Sequence, residues 1–226
     1  MIRSIGIEIE GAWNEVYYDF KNNDVFRHDG SVDIPRNIKC RYCRNGDNDN
    51  CECSDDGYNE VGELAFQPKT GIVDAILELD QNYPDHTNRS CGLHIHLGLS
   101  EKEYMTILWQ YSKFYREYIA FLRYFGQTRA IRQGSAFWSR LSGENRYCRL
   151  DINLKTIKDQ MKNSSYDNCR YNHVNFCYSK HGTIELRSFP AFQTKALSLD
   201  AVRSVYDFVN MWLLNNQIEK TIEVRI

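Results

Sequence analysis

The chain has 226 residues, of which 42% are hydrophobic and 26% charged, with a formal net charge of −2. That length suits one sizeable domain and is short for two. The near-neutral charge leaves no electrostatic footprint for nucleic acid, and the most apolar long stretch, 104–125, carries Lys113, Arg116, Glu117 and Arg123, which excludes a membrane span there.

Residues 4–11 alternate strictly. Ile5, Ile7 and Ile9 take one face of a strand, and Gly6, Glu8 and Glu10 take the other. Two carboxylates at i, i+2 are either a solvated face or a hard-cation site, since oxygen ligands suit Mg²⁺ or Mn²⁺. Met1 to Ser4 leads into this strand without a leader-like apolar core, so a cytoplasmic protein is expected. Next, Asp29-Gly30 reads either as a turn or as an acid at a strand end facing the same site.

Residues 36–58 differ in character, being rich in Asn, Asp and Gly and nearly devoid of aliphatic side chains. Such a segment builds no core and reads as an inserted loop within a single domain spanning 1–226. Cys40-x₂-Cys43 and Cys51-x-Cys53 resemble a small zinc knuckle, in which four thiolates close a structural Zn²⁺ site; free thiols are the alternative.

Strand character resumes at residues 60–67, with Leu64 and Phe66 toward the core and Glu63 and Ala65 on the other face; Pro68 ends it. Thr70 is expected to cap a helix through about Leu79. Gly92-Leu93-His94-Ile95-His96-Leu97-Gly98 then alternates between two glycines, which puts His94 and His96 on one face of a short strand. Ser100 and Glu103 form a capping box for one long helix to about Phe125. Its Trp109, Phe114, Tyr118 and Phe121 read as core filling.

Six arginines lie between Arg123 and Arg149, mostly surface or structural charges, with one or two expected to reach an anionic substrate. A short helix is expected near residues 154–161 and a strand at 171–177. Residues 182–189 form the last strand of the site, with Glu185 and Arg187 on one face and Ile184 and Leu186 on the other. Thr194 or Ser198 then opens a long helix to about Leu214, with Leu197, Ala201, Val205, Phe208, Val209 and Trp212 as its apolar stripe. A terminal strand is expected at 221–226.

The inward-facing polar residues are thus Glu8, Glu10, Asp29, Glu63, His94, His96, Glu185 and Arg187. So many carboxylates in one place require cations or protons. Carboxylates with few histidines favour two or more Mg²⁺ or Mn²⁺ ions, which commonly clamp a polyphosphate. The expected fold is α+β: a curved, mainly antiparallel sheet backed by long helices and cradling a metal–nucleotide site.

Six stretches in order carry a resemblance that spans nearly the whole chain. They are Gly6-Ile7-Glu8-Ile9-Glu10, His28-Asp29-Gly30-Ser31, Gly62 through Pro68, Cys91 through His96, Tyr171 through Asn175, and Thr183 through Arg187. Together they resemble the amidoligase family, a branch of the carboxylate–amine ligases with the glutamine synthetase and glutamate–cysteine ligase fold. The resemblance implies a glutamine-synthetase-like catalytic core and ATP-dependent ligation: a carboxylate takes the γ-phosphate of ATP, and an amine displaces phosphate from the acyl phosphate. Glu8, Glu10, Glu63, His94 and Glu185 would then hold Mg²⁺ or Mn²⁺ against ATP. Arg187 would stabilise the transferring phosphoryl group, His96 or Asp29 would lie near the substrates, and Arg146 would contact an anion. The partners implied are a small-molecule or peptide carboxylate and an amine, with a ring-like oligomer also compatible with such a fold. Two departures are the Leu-Ala-Phe-Gln-Pro run after Glu63 and the cysteine-rich insertion. The competing readings are a zinc hydrolase using His94 and His96, and a non-catalytic zinc-knuckle binding protein on a degenerate ligase fold.

Overall fold

The computed structural model describes residues 1–14, 26–27, 31–34, 59–145, 148–150, 154–161 and 171–216. Asp29, Arg146, the four cysteines at 40, 43, 51 and 53, and the expected strand at 221–226 lie outside these residues.

Six strands form one sheet: β1 (Ser4–Asn14), β2 (Phe26–Arg27), β3 (Asn59–Ala65), β4 (Gly92–Gly98), β5 (Val174–Cys177) and β6 (Thr183–Pro190), in spatial order β2-β3-β1-β4-β6-β5. Every pairing is antiparallel. The helices are α1 (Ile72–Gln81), α2 (Glu101–Trp109), α3 (Tyr111–Thr128), α4 (Ala136–Leu141), α5 (Leu154–Gln160), α6 (Tyr178–His181) and α7 (Lys195–Asn215). The α+β expectation holds.

Strand alternation divides the sheet chemically. Ile5, Ile7, Ile9, Leu64, Leu93, Ile95, Leu97, Ile184 and Leu186 are all buried in one core. Aromatic side chains of the helices close over it: Tyr104 of α2 and Tyr111 of α3 both meet Phe176 edge-on, and Phe125 of α3 meets Phe189 at 5.3 Å. Burial of this apolar face drives the assembly and fixes the register, because a one-residue slip would turn every carboxylate into the core.

The helix starts follow local rules only in part. Ser100 and Glu103 form the expected reciprocal capping box of α2. Gly71, not Thr70, occupies the N-cap of α1, with no side-chain cap, and Asp74 supplies the favourable charge in its first turn. The long aromatic helix is two helices, broken at Gln110, whose amide reaches the Asn216 carbonyl at 3.0 Å. The break takes Trp109 off the buried stripe and leaves it 73% exposed, whereas Phe114 and Tyr118 are fully buried. In α7, Thr194 holds the N-cap position without a side-chain bond. Ser198 lies inside the helix, where its hydroxyl accepts from Phe192 N–H.

Candidate functional site

The second face of the sheet collects what the sequence pattern selected. In the register, Glu10 stands opposite Glu63, Glu8 opposite His94, Gly6 opposite His96, and His96 opposite Glu185. Direct cross-strand partners on one face lie about 5 Å apart at Cβ, so four strands deliver four carboxylates and two imidazoles to one patch. Arg27 of the edge strand β2 pairs with Glu63, and Asn175 of the opposite edge strand β5 pairs with Glu185.

One irregularity shapes the patch. Between Leu93 and Ile95 of β4 the partner strand advances from Phe189 to Leu186, so β6 carries an extra residue. Strict alternation would put Phe189 beside Glu185 and Arg187. The bulge instead sends Phe189 into the core, where it is fully buried, and leaves the two charged residues on the site face.

His94 sits at the centre, 1% exposed. Its Nδ1 lies 3.2 Å from Glu8, 3.8 Å from Glu63 and 3.9 Å from Glu185, and its Nε2 lies 3.6 Å from Glu10. His96 Nε2 lies 3.3 Å from Glu8 and 3.9 Å from Glu185. Both Nε2 atoms are buried, and neither has an aligned hydrogen-bond partner among the described residues. Buried polar atoms are rarely left so. Their chemistry fits a cation: Glu8, Glu63 and His94 bring ligand atoms within 4.8 Å of one another, and so do Glu8, His96 and Glu185. Glu8 belongs to both groups, and each group takes a different histidine.

Protonation in this patch is far from ordinary. Burial pushes the Glu8 carboxyl up, but the His94 and His96 rings beside it outweigh burial and hold its pKa well below the usual carboxylate value. Burial, with the Glu8 and Glu10 charges adding to it, pushes Glu63 up to about 7. Burial opposes ionisation of Glu185 too, yet Arg187 and the two histidines bring it down to about 2. Burial would lower His96, but the Cys177 thiol, Glu8 and Glu185 raise it well above the ordinary imidazole value. Near neutral pH the patch therefore holds a proton on His96 and a partly occupied one on Glu63, where like charges would otherwise accumulate.

Behind the patch runs a chain of buried polar side chains. Arg187 donates through Nη1 to Glu185 Oε1 at 2.8 Å. Asn175 donates to Glu185 Oε2 at 3.0 Å, and Gln160 of α5 donates to Asn175 Oδ1 at 2.6 Å while accepting from Phe176 N–H at 2.9 Å. The Arg187 guanidinium also lies over the Tyr171 ring, 5.7 Å from its centroid. Asn175 and Gln160 were absent from the expected site. Asn175 carried a signal, since alternation from Val174 and Phe176 puts it on the polar face. Gln160, at the end of a short helix, carried none. His173 is a second buried feature: its ring bonds the Arg140 carbonyl at 2.7 Å and Tyr115 Oη at 3.2 Å, and burial lowers its pKa to about 4. Of the six arginines, Arg140 is wholly buried and donates to the Cys91 carbonyl at 3.1 Å, and Arg129 pairs with Asp200 at 2.7 Å.

A helix-backed antiparallel sheet, one face of which gathers four carboxylates, two histidines and a buried arginine, defines an α+β protein with a candidate cation site. The family model described as "Putative amidoligase enzyme" matches residues 70–196, more than half of the chain, and the chain belongs to that family. Membership makes it an enzyme of the ligase kind. No curated protein and no solved structure matches it. The matched segment contains His94, His96, Asn175, Glu185 and Arg187. Glu8, Glu10 and Glu63 precede it and join it through the β1–β3 and β1–β4 pairings.

Proposed function

We propose that the protein is an ATP- and Mg²⁺-dependent carboxylate–amine ligase, built on a glutamine-synthetase-like core and forming an amide through an acyl phosphate. The observation that carries this reading is the pair of three-ligand groups that share Glu8. Oxygen-rich groups with one imidazole each suit Mg²⁺ or Mn²⁺, and two such ions bound there would neutralise polyphosphate charge. A single zinc on the H-x-H pair is less well supported, because His94 and His96 fall into different groups.

The residues divide the work. Glu8, Glu63 and His94 would hold one ion, and Glu8, His96 and Glu185 the other. Glu10 anchors the neighbouring backbone by accepting from Gly92 N–H. Arg187 stays protonated at any working pH, because burial is outweighed by its pairing with Glu185. Its Nε has no hydrogen-bond partner among the described residues, which leaves a buried cationic donor for a charged oxygen. Asp29 near the substrates, an anion contact from Arg146, and structural zinc on Cys40, Cys43, Cys51 and Cys53 complete the proposal.

Calorimetric titration of ATP, with and without Mg²⁺, tests it on the wild type and on the double variant Glu8→Gln/Glu185→Gln. The expected result is Mg²⁺-dependent nucleotide binding that the double variant loses, followed by ADP release in a screen of acids with amines. Failure to bind nucleotide with either Mg²⁺ or Mn²⁺ would overturn it.

A further inference from the structure

We propose that a second site, a cavity of about 630 Å³ between the loop after α3 and the start of α7, binds the carboxylate of a short apolar peptide and so supplies the amine partner of the ligation. Its size falls in the range of small-molecule sites. Phe137, Phe192, Pro190 and Leu197 give it apolar walls, and Arg89 and Arg132 line the same space. Neither arginine has an ion-pair or hydrogen-bond partner among the described residues, in contrast to Arg129, which is committed to Asp200.

Two further donors point to an anion. Ser135, also lining the cavity, has a buried hydroxyl oxygen without a hydrogen-bond partner among the described residues. Thr194 of the lining begins the 21-residue α7, whose first turn holds no acidic side chain and whose N-cap makes no side-chain bond, so its positive dipole end is uncompensated. The loop that presents Arg132 is held firmly: Ile131 N–H donates to the Gly126 carbonyl at 2.9 Å, and the Trp138 indole donates to the Ile131 carbonyl at 2.9 Å. A carboxylate fits a guanidinium fork, and the apolar body of its ligand fits the aromatic walls.

The position relates this cavity to the metal patch. β6 runs from Glu185 and Arg187 to Pro190 in its wall, and three strand residues span roughly 10 Å. An extended peptide of three or more residues, anchored by its carboxylate, is of the length needed to bring its amine toward the patch. That last step rests on the ligase reading; the carboxylate site does not.

The test is calorimetric binding of the dipeptide leucyl-phenylalanine and of its C-terminal amide, without nucleotide or metal. The acid is expected to bind at least about tenfold more tightly than the amide, as loss of a charge-assisted pair implies. The Arg89→Gln/Arg132→Gln variant should lose a similar factor at an unchanged melting temperature, and Glu8→Gln should bind the dipeptide like the wild type. Equal binding of acid and amide, no binding of either, or unchanged affinity in the arginine variant would overturn the site. Dipeptide binding in a protein that binds no Mg²⁺–ATP would leave the carboxylate site standing and remove its role in ligation. Mg²⁺–ATP binding without dipeptide binding would do the reverse.

Discussion

Glu8 of β1 faces His94 of β4 across the antiparallel register, and its two oxygens divide between the histidines: Oε2 lies 3.2 Å from His94 Nδ1 and Oε1 lies 3.3 Å from His96 Nε2. One carboxylate thus joins both candidate cation groups. Its removal should therefore cost more than removal of a ligand confined to one. Mn²⁺ titration followed by electron paramagnetic resonance is expected to show two sites in the wild type, one in Glu63→Gln, and none of comparable affinity in Glu8→Gln. Equal losses in the two variants would refute the shared role.

The Glu63 carboxyl gives the metal-free protein a pH signature. Its folded pKa of about 7 lies above the ordinary 4.5, so between these values the folded state keeps a proton that the unfolded state has released. Stability must fall as pH rises from 4.5 to 7, by roughly 3 kcal/mol at full effect. Thermal unfolding of metal-free wild type and Glu63→Gln across this range should differ in slope by that amount. Saturating Mg²⁺ should remove the difference, with proton release accompanying the binding. Parallel stability curves in the absence of metal would contradict the assignment.

Much of this patch was legible because strand periodicity is a two-residue rule. The pairs Glu8/Glu10, His94/His96 and Glu185/Arg187 each fell on one face, and the aliphatic residues between them, Ile9, Ile95 and Leu186, set which face is buried. What alternation cannot convey is a bulge. Phe189 has the same parity as Glu185 and Arg187, and only the extra residue in β6 takes it to the core. Helix interruptions are equally hidden when neither glycine nor proline marks them, as at Gln110. The support behind Glu185 was invisible for another reason: Gln160 and Asn175 are fifteen residues apart, and their contact depends on how α5 docks on β5.

That support makes a stability prediction. Asn175→Ala removes the donor to Glu185 Oε2 and the acceptor of the Gln160 amide N–H, all within the buried interior. Each buried polar group left without a partner costs about 1–3 kcal/mol. Asn175→Ala and Gln160→Ala should both destabilise, and the double variant should lose clearly less than the two losses added together, since both break one chain. Chemical denaturation of the three variants measures this. Strict additivity would mean that Gln160 does not act through Asn175.

Gly92 tests the patch without removing any ligand. It opens β4 beside the two acids of β1, and its N–H donates to Glu10. A Cβ built there would lie 2.6 Å from His94 Nε2 and 3.1 Å from Glu10 Oε2. The first distance is well inside van der Waals contact, so Gly92→Ala must displace the imidazole or the strand. His94 is buried in a packed site with little room to yield, and displacement should break the Glu8–His94–Glu63 group more than the Glu8–His96–Glu185 group. The expected outcome is loss of one Mn²⁺ site with the other retained, a pattern like that of Glu63→Gln although every ligand is present. Far-ultraviolet circular dichroism should show the fold unchanged. Two intact sites in Gly92→Ala would mean that His94 does not need its present position to bind a cation.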